Sequence, residues 1–304
     1  MSDWAVGLST GCFWQTSIFE CLEDIRNSGF GRIEICSFPA HLDYHDVERV
    51  KRAARLIGEL GLETYSFHAP FSDRIDITSP DPQLRDFALR ELLKAAEAAA
   101  ILKVRYFVIH PGPENATLPE HERFWRLQNA VEVLNQAALH CRQLGVGLVL
   151  ENMLPHLFAG RTRDLLWILG ALDSCEVGIC LDTGHAHLGE DLPAVVHKLS
   201  GHLWMVHASD NHRHRDDHLP PGDGKINWAA FLAHLYDLRF NGTFILEING
   251  MGDRNEILQG ARRGRRYLRD LSIALRFPAE KSNVRLDLAA DRAGPNGHQD
   301  SANS

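Results

Sequence analysis

The sequence predicts a (β/α)8 barrel, a closed ring of parallel strands in which a helix follows each strand. Short β-rich runs alternate with long amphipathic stretches along the chain, the pattern of parallel strands joined by helical crossovers. Eight such runs occur in 304 residues, a length that suits one barrel of roughly 250 residues with extensions. The glycine-rich nucleotide fingerprint expected after the first strand of an open, doubly wound sheet is missing, which argues against that alternative.

In chain order the strand runs are VGLST around Gly7, RIEIC from Arg32, ETYSF from Glu63, RYFVI from Arg105, VGLVL from Val146, VGICL from Val177, LWMV from Leu203 and TFILEI from Thr243. Most are near-continuous in Val, Ile, Leu and aromatic residues, as strands covered on both faces must be. Between the third and fourth lies QLRDFALRELLKAAEAAAILK, where Leu84, Ala88, Leu92, Ala95, Ala99 and Leu102 mark one face at helical spacing. A second helix is expected from Glu122 to about Leu144, and a last one from Asp253, in DRNEILQGARRGRRYLRDLSIALRF. The barrel should therefore occupy residues 1–277. From residue 278 the chain turns poor in large apolar residues and rich in Ala, Asn, Asp and Ser, the composition of a disordered tail.

Bulk composition narrows the partners. A 44% hydrophobic content is enough for a sizeable core, and 40 acidic against 32 basic residues gives a formal charge of −8 with no long Lys/Arg block. That balance favours small substrates over polyanions. The amino-terminal stretch lacks a secretory pattern and no membrane-length apolar run occurs, so a soluble, cytoplasmic protein is expected, with no membrane partner. The six cysteines form no CxxC pair and read as reduced core residues. Oligomeric state leaves no mark.

Residues able to hold a metal recur at or just after the carboxyl ends of consecutive strands: His68, His110, Glu151, Asp182, His207 and Glu247. On a barrel those ends form a single rim, the face that carries chemistry, so side chains far apart in sequence converge there. Several carboxylates and imidazoles buried together are costly without a cation to offset repulsion and desolvation. Each residue alone has a plain structural reading, His68 as a hydrogen-bonded histidine, Glu151-Asn152 as a helix cap, Asp182-Thr-Gly as a turn. The recurrence on six neighbouring strands is what favours a metal. Glu34, read as ending its strand in the stretch IEIC, could reach the site or cap a loop. Phe13, Trp14 and Trp228 either wall a substrate pocket or cover the barrel, and Gly222 and Gly224 in PPGDG form a tight turn.

In SFHAPF, VIHPG, LEN, CLDTGHAHL, VHASDN running into DDHLPPGDGKINW, and LEIN, the chain resembles the xylose isomerase-like TIM-barrel superfamily, in its sugar phosphate isomerase/epimerase branch. The resemblance spans about Val6 to Phe277. It implies a divalent metal held by Glu151, Asp182, His207 and Glu247, with the two glutamates as the catalytic pair. One would remove a proton next to a carbonyl and the other return it on the opposite face, through a metal-stabilised enediolate. His68, His185, His218 and Trp14 would contact the carbohydrate. The chain departs from the epimerase pattern in carrying His218 where those enzymes place an arginine to grip substrate. It also resembles the endonuclease IV branch, whose three-metal site takes residues matching His68, His110, Glu151, Asp182, His207, Glu247, His185, Asp216 and His218, with Glu151 bridging two ions.

Within the run SDNHRHRDDH (residues 209–218), Asp216 and His218 would thus sit on metal, while His212, Arg213, His214 and Arg215 face solvent or substrate. Mixed imidazole and carboxylate ligands suit Mn, Zn, Fe(II) or Co, one to three ions per chain. The expected activity is isomerisation or epimerisation of a sugar, sugar phosphate or related polyol. An abasic-site phosphodiester hydrolase is the alternative, disfavoured by the acidic balance and by the lack of basic, aromatic-rich loops. A barrel that binds metal without turnover is the third reading, against which the intact Glu151 and Glu247 stand.

Overall fold

The computed structural model describes residues 4–114 and 118–276. Among these residues, eight parallel strands close into a barrel in sequence order. They are β1 (Val6–Ser9), β2 (Arg32–Cys36), β3 (Glu63–His68), β4 (Tyr106–Ile109), β5 (Gly147–Glu151), β6 (Val177–Asp182), β7 (Leu203–Ala208) and β8 (Thr243–Leu246). Closure comes from β8 pairing back onto β1 through Val6–Phe244, Gly7–Ile245 and Leu8–Leu246. Every strand falls on a run predicted from sequence. The expected tail from residue 278 lies outside the described residues.

Successive strand residues point to opposite faces, and here the two faces build two separate cores. Outward residues such as Leu8, Ile33, Phe107, Leu148, Leu181 and Phe244 pack beneath the helices. Inward residues Tyr65, Val108, Val149, Cys180, Met205 and Ile245 form a smaller cluster inside the barrel, with Tyr106 and Trp204 against it. The ladder shifts register between Ile33 and Glu34 in the β2–β3 pair and between Ile179 and Cys180 in the β6–β7 pair. Each shift admits one extra residue, Tyr65 and Trp204 respectively, and both are aromatic residues of the barrel floor. Tyr65, Tyr106 and Trp204 follow one another at 5.4 Å and 5.6 Å between ring centroids. Glycine opposite them makes the room: a Cβ on Gly147 would lie 2.8 Å from the Tyr106 ring, and one on Gly178 2.1 Å from Trp204.

Two residues further along the same strands the interior changes character. Val108, Val149, Cys180, Met205 and Ile245 are followed at that spacing by His110, Glu151, Asp182, His207 and Glu247. Two strand residues span about 6.6 Å, so the barrel passes from a dry aliphatic layer to a ring of ionisable groups in one pleat repeat.

The helices follow their start and stop signals. Asp46 caps Val47–Glu59 by accepting from the Arg49 amide, and Asp81 caps Pro82–Ile101, with Pro82 at a first-turn position, by accepting from Gln83. On that second helix the predicted face is buried from Ala88 to Leu102, but Leu84 is 44% exposed, because the whole first turn, Pro82 to Leu84, stands in solvent. The helix expected from Glu122 to about Leu144 covers Arg123–Leu144, after a 3-10 turn, and is capped by Gly145 with φ 75°. The last helix covers Arg254–Arg276. Where a turn was expected after β6, a short helix Thr183–Gly189 starts directly, with Asp182 as its cap. All six cysteines are free and five are buried, but Cys175 is exposed and is not a core residue. Among the described residues no helix is long and apolar enough to cross a membrane.

Candidate metal centre

The strand ends are held in register by side chains that take over where the backbone ladder stops. Asn152 accepts from the Asp182 amide at 2.8 Å and donates to the Asp182 carbonyl at 3.0 Å, copying a ladder rung between β5 and β6. Thr183 does the same toward the β7 end, donating to the Ser209 carbonyl at 2.8 Å and accepting from its amide at 3.1 Å. Glu151, Asp182 and His207 are thereby fixed beside one another. Asp182 Oδ1 accepts from the His185 amide at 2.6 Å, so its capping role, the plain reading of this residue, uses one oxygen and leaves Oδ2 aimed elsewhere. Asn152 is no helix cap.

The sequence-predicted ligands converge as three groups, within each of which the donor atoms lie no more than 4.8 Å apart: His68, His110 and Glu151; Glu151, Asp182, His207 and Glu247; His185, Asp216 and His218. Glu151 belongs to two of them and turns a different oxygen to each. Its Oε2 lies 3.2 Å from His68 Nε2 and 3.3 Å from His110 Nε2, while Oε1 lies 3.3 Å from His207 Nδ1. His207 Nδ1 is also 3.3 Å from Glu247 Oε2. In the third group Asp216 Oδ2 faces His218 Nε2 at 2.8 Å and His185 Nε2 at 3.4 Å.

Every one of the five histidines has its other ring nitrogen tied to an oxygen that accepts. Nδ1 of His68 donates to the Ala69 carbonyl (2.9 Å), of His185 to the Asn152 carbonyl (2.8 Å) and of His218 to the Glu247 carbonyl (3.0 Å). His110 Nδ1 bonds Glu114 at 2.7 Å, and His207, reversed, bonds Glu34 through Nε2 at 2.9 Å. In a neutral imidazole the remaining nitrogen is then a lone pair. Five lone pairs thus point at carboxylates, an arrangement that only a proton or a cation between them stabilises. Fixing the tautomer through the outer nitrogen is how metal-binding histidines are held. Asp182 Oδ2, His207 Nδ1 and Asp216 Oδ1 are buried and have no hydrogen-bond partner among the described residues. The donor set, its tautomers and its orphaned atoms fit divalent cations.

Charge follows the same geometry. Burial pushes Glu151 up, but His207 and His110 more than offset it and hold the carboxyl well below its usual range. Glu247, partly buried, is drawn down to about 2 by His207 against the push of burial. Asp182 goes the other way, raised to about 6 by burial against the pull of His185. Burial lowers His110 and His218, but Glu114 and Glu151 for the first, and Asp216 for the second, push each up to about 9. These shifts favour protons on His110 and His218 in the same carboxylate–imidazole gaps that a cation would fill, so the two compete there.

Asp216 and His218 arrive on the loop after β7, whose shape is set by Asp210. That buried carboxylate accepts from the amides of Gly222 and Ile226, both at 3.0 Å, and from Trp228 Nε1 at 2.8 Å. The PPGDG turn forms as expected, with Gly222 at φ 94°, and the buried Asp210 already accepts from the Gly222 amide. His218 itself holds φ 46°, a left-handed conformation uncommon for a residue with a Cβ. His212, Arg213, His214 and Arg215 are exposed, as expected.

The clusters open into a cavity of about 370 Å³. Trp14, Phe38 and Phe71 form its aromatic wall, their centroids 5.5 and 5.4 Å apart, and Phe71 leans on His68 and His110. Trp14 is 40% exposed at the mouth, whereas Phe13 and Trp228 are core. Among the described residues no lysine or arginine lines the cavity. Part of the basic run near residue 263 points away from it: Arg262 and Arg265 bond Ser28 and Gly29, just before β2 and so at the opposite barrel end. Sequence reasoning passed over Glu114, Asp210, Phe38 and Phe71, and read Asn152 only as a cap. Glu114, four residues after His110, was the one with a readable signal.

The xylose isomerase-like TIM barrel family matches the chain over residues 22–271. An uncharacterised protein of Methanocaldococcus jannaschii is 29% identical over 83% of this chain and 86% of its own. A probable endonuclease 4 of Mycoplasmoides gallisepticum is 25% identical over 68% of this chain and 72% of its own. Among solved structures, a D-tagatose 3-epimerase-like protein superposes with a TM-score of 0.79 at 25% identity, over 91% of this chain and all of that one.

Proposed function

The chain belongs to the xylose isomerase-like TIM barrel family, and we propose that within it this protein is a metal-dependent epimerase or isomerase of an unphosphorylated sugar bearing a carbonyl. The observation that carries this reading is the meeting of Glu151 and Glu247 with Asp182 and His207 in one cluster beside the cavity. Glu247, with a side chain 17% exposed, and Glu151, at 1%, both bear on that cluster from different depths. One takes a proton from the carbon next to the carbonyl and the other returns a proton to the opposite face. A divalent cation, when bound, supplies Lewis-acid stabilisation of the negative charge that develops on the substrate oxygen.

The remaining residues position and enclose. Trp14 covers one face of the sugar. Where no ion sits on them, His68, His185 and His218 offer ring nitrogens, already oriented by their Nδ1 bonds, to sugar hydroxyls. A cavity of about 370 Å³ lies at the low end of the roughly 300–1,000 Å³ range of small-molecule sites. Among the described residues its lining holds no lysine or arginine, so no long cationic side chain is there to reach a phosphate, which supports a neutral sugar over a sugar phosphate. Free cysteines without a bridge fit a reducing compartment, the cytoplasm.

The test is solvent deuterium incorporation. The metal-loaded protein is incubated in D2O with a panel of ketoses, keto-sugars and their phosphates, and exchange at the carbon beside the carbonyl is read by NMR. Exchange into at least one neutral sugar and not into its phosphate is expected. No exchange in any member sinks the epimerase reading. One observation favours the second reading, a phosphodiester hydrolase: all three ligand groups are complete and two are joined at Glu151. Nicking of an abasic-site duplex at physiological salt, with no exchange in any sugar, would decide for it.

A further inference from the structure

We propose that Glu34 is a positioning residue, whose carboxylate fixes the tautomer of His207 and so presents Nδ1 to the cation. The inference rests on the reading that Glu151, Asp182, His207 and Glu247 hold that cation. Glu34 lies at the barrel centre, fully buried. Its Oε1 accepts from Ser9 Oγ at 3.1 Å, and its Oε2 accepts from Ser66 Oγ at 2.7 Å and His207 Nε2 at 2.9 Å. The register shift in the β2–β3 pair sets Ser66 directly opposite Glu34, so the bulge that seats Tyr65 also supplies one of these donors.

His207 differs from its four companions. They bond an oxygen through Nδ1 and offer Nε2, whereas His207 offers Nδ1 and needs an acceptor deeper in the barrel than its own strand end. Glu34 is that acceptor. A carboxylate held by two hydroxyls can only accept from the ring, which places the proton on Nε2 and the lone pair on Nδ1. An amide in its place could donate instead and turn the ring to the opposite tautomer, with a proton where the cation should bind.

The experiment uses the full chain. Mn²⁺ and Co²⁺ are titrated into the wild-type protein, Glu34→Gln and Ser66→Ala, with far-UV circular dichroism to establish that each is folded. Affinity should fall between about tenfold and about 100-fold in Glu34→Gln, and less in Ser66→Ala, which leaves the bond to His207 in place. A folded Glu34→Gln that binds within twofold of wild type overturns the proposal. Should Glu34→Gln fail to fold, the wild type decides alone. In the zinc-loaded, ¹⁵N-histidine-labelled protein, with the ring assigned by its loss in His207→Asn, a proton on Nε2 is expected and a proton on Nδ1 overturns the proposal. A wild-type protein that binds none of these metals would instead remove the cation reading on which the proposal depends.

Discussion

Metal loading should raise the melting temperature, and the size of the rise should count the ions. A cation that binds only the folded state stabilises it by about 2.7 kcal/mol when its free concentration is 100-fold above Kd. For a chain of this size the entropy of unfolding is on the order of 0.6 kcal/mol per kelvin near the midpoint. One filled site is then worth about 5 °C, and three independent sites up to about 14 °C. The geometry says which residues separate the cases. Asp182 serves only the middle cluster, Asp216 only the outer one, and Glu151 two at once. If only the middle cluster fills, Asp182→Asn should abolish the rise and Asp216→Asn should leave it intact. If all three fill, Asp216→Asn should remove about a third of it. The assay is thermal unfolding followed by circular dichroism, with and without chelator, across Mn²⁺, Co²⁺, Zn²⁺ and anaerobic Fe²⁺. A rise below about 1 °C with every metal, at concentrations 100-fold above any plausible Kd, would refute the idea that these residues form a cation site.

Glu247→Gln should cost about 10² to 10⁴ in the rate of solvent exchange into the substrate, the usual worth of a general acid or base, while leaving the protein folded. Metal affinity should depend on pH, because His110 and His218 are pushed up to about 9 and their protons compete with the ion. For these two histidines apparent affinity should climb through pH 6, 7 and 8 and level off near 9. The metal-free protein should show the opposite trend. A raised histidine contributes stability that is fully present below its unfolded value near 6.5 and is lost as pH rises through about 9, so chelated samples should melt lower at pH 9 than at pH 6. Gly178→Ala places a methyl within 2.1 Å of the Trp204 ring, and urea unfolding should report a loss of about 1–3 kcal/mol or an insoluble product.

The barrel was legible because its strands are covered on both faces. VGICL and VGLVL are continuous apolar runs for that reason, and each ends abruptly in the acid that sits on the rim. Asp182, Glu151 and their neighbours could be picked out because the ending recurs. What the sequence could not display are contacts that depend on which nitrogen or oxygen faces which partner. Glu34 looks like one more acid at a strand end, and only the register shift beside it reveals that it lies under His207 rather than on the rim. Asp210 sits in a run crowded with acids, and nothing local marks it as the acceptor for Gly222, Ile226 and Trp228. The aromatic wall comes from three separate loops, so Trp14, Phe38 and Phe71 carry no shared spacing to read. Asn152 and Thr183 look like polar residues at a loop start, yet they act as rungs of the sheet.

The stacking of an aliphatic tier under an ionisable one, two residues apart on five strands, has an evolutionary corollary. A substitution at the upper tier alters reactivity without touching the hydrocarbon beneath, so the stem can stay constant while the crown is re-equipped. In the cluster of His185, Asp216 and His218, Asp216 and His218 hang from the loop after β7 and His185 from the short helix after β6, not from that stem. A lineage could shed it, or acquire it, and pass between many-ion and single-ion chemistry while the shared glutamate at position 151 never moves.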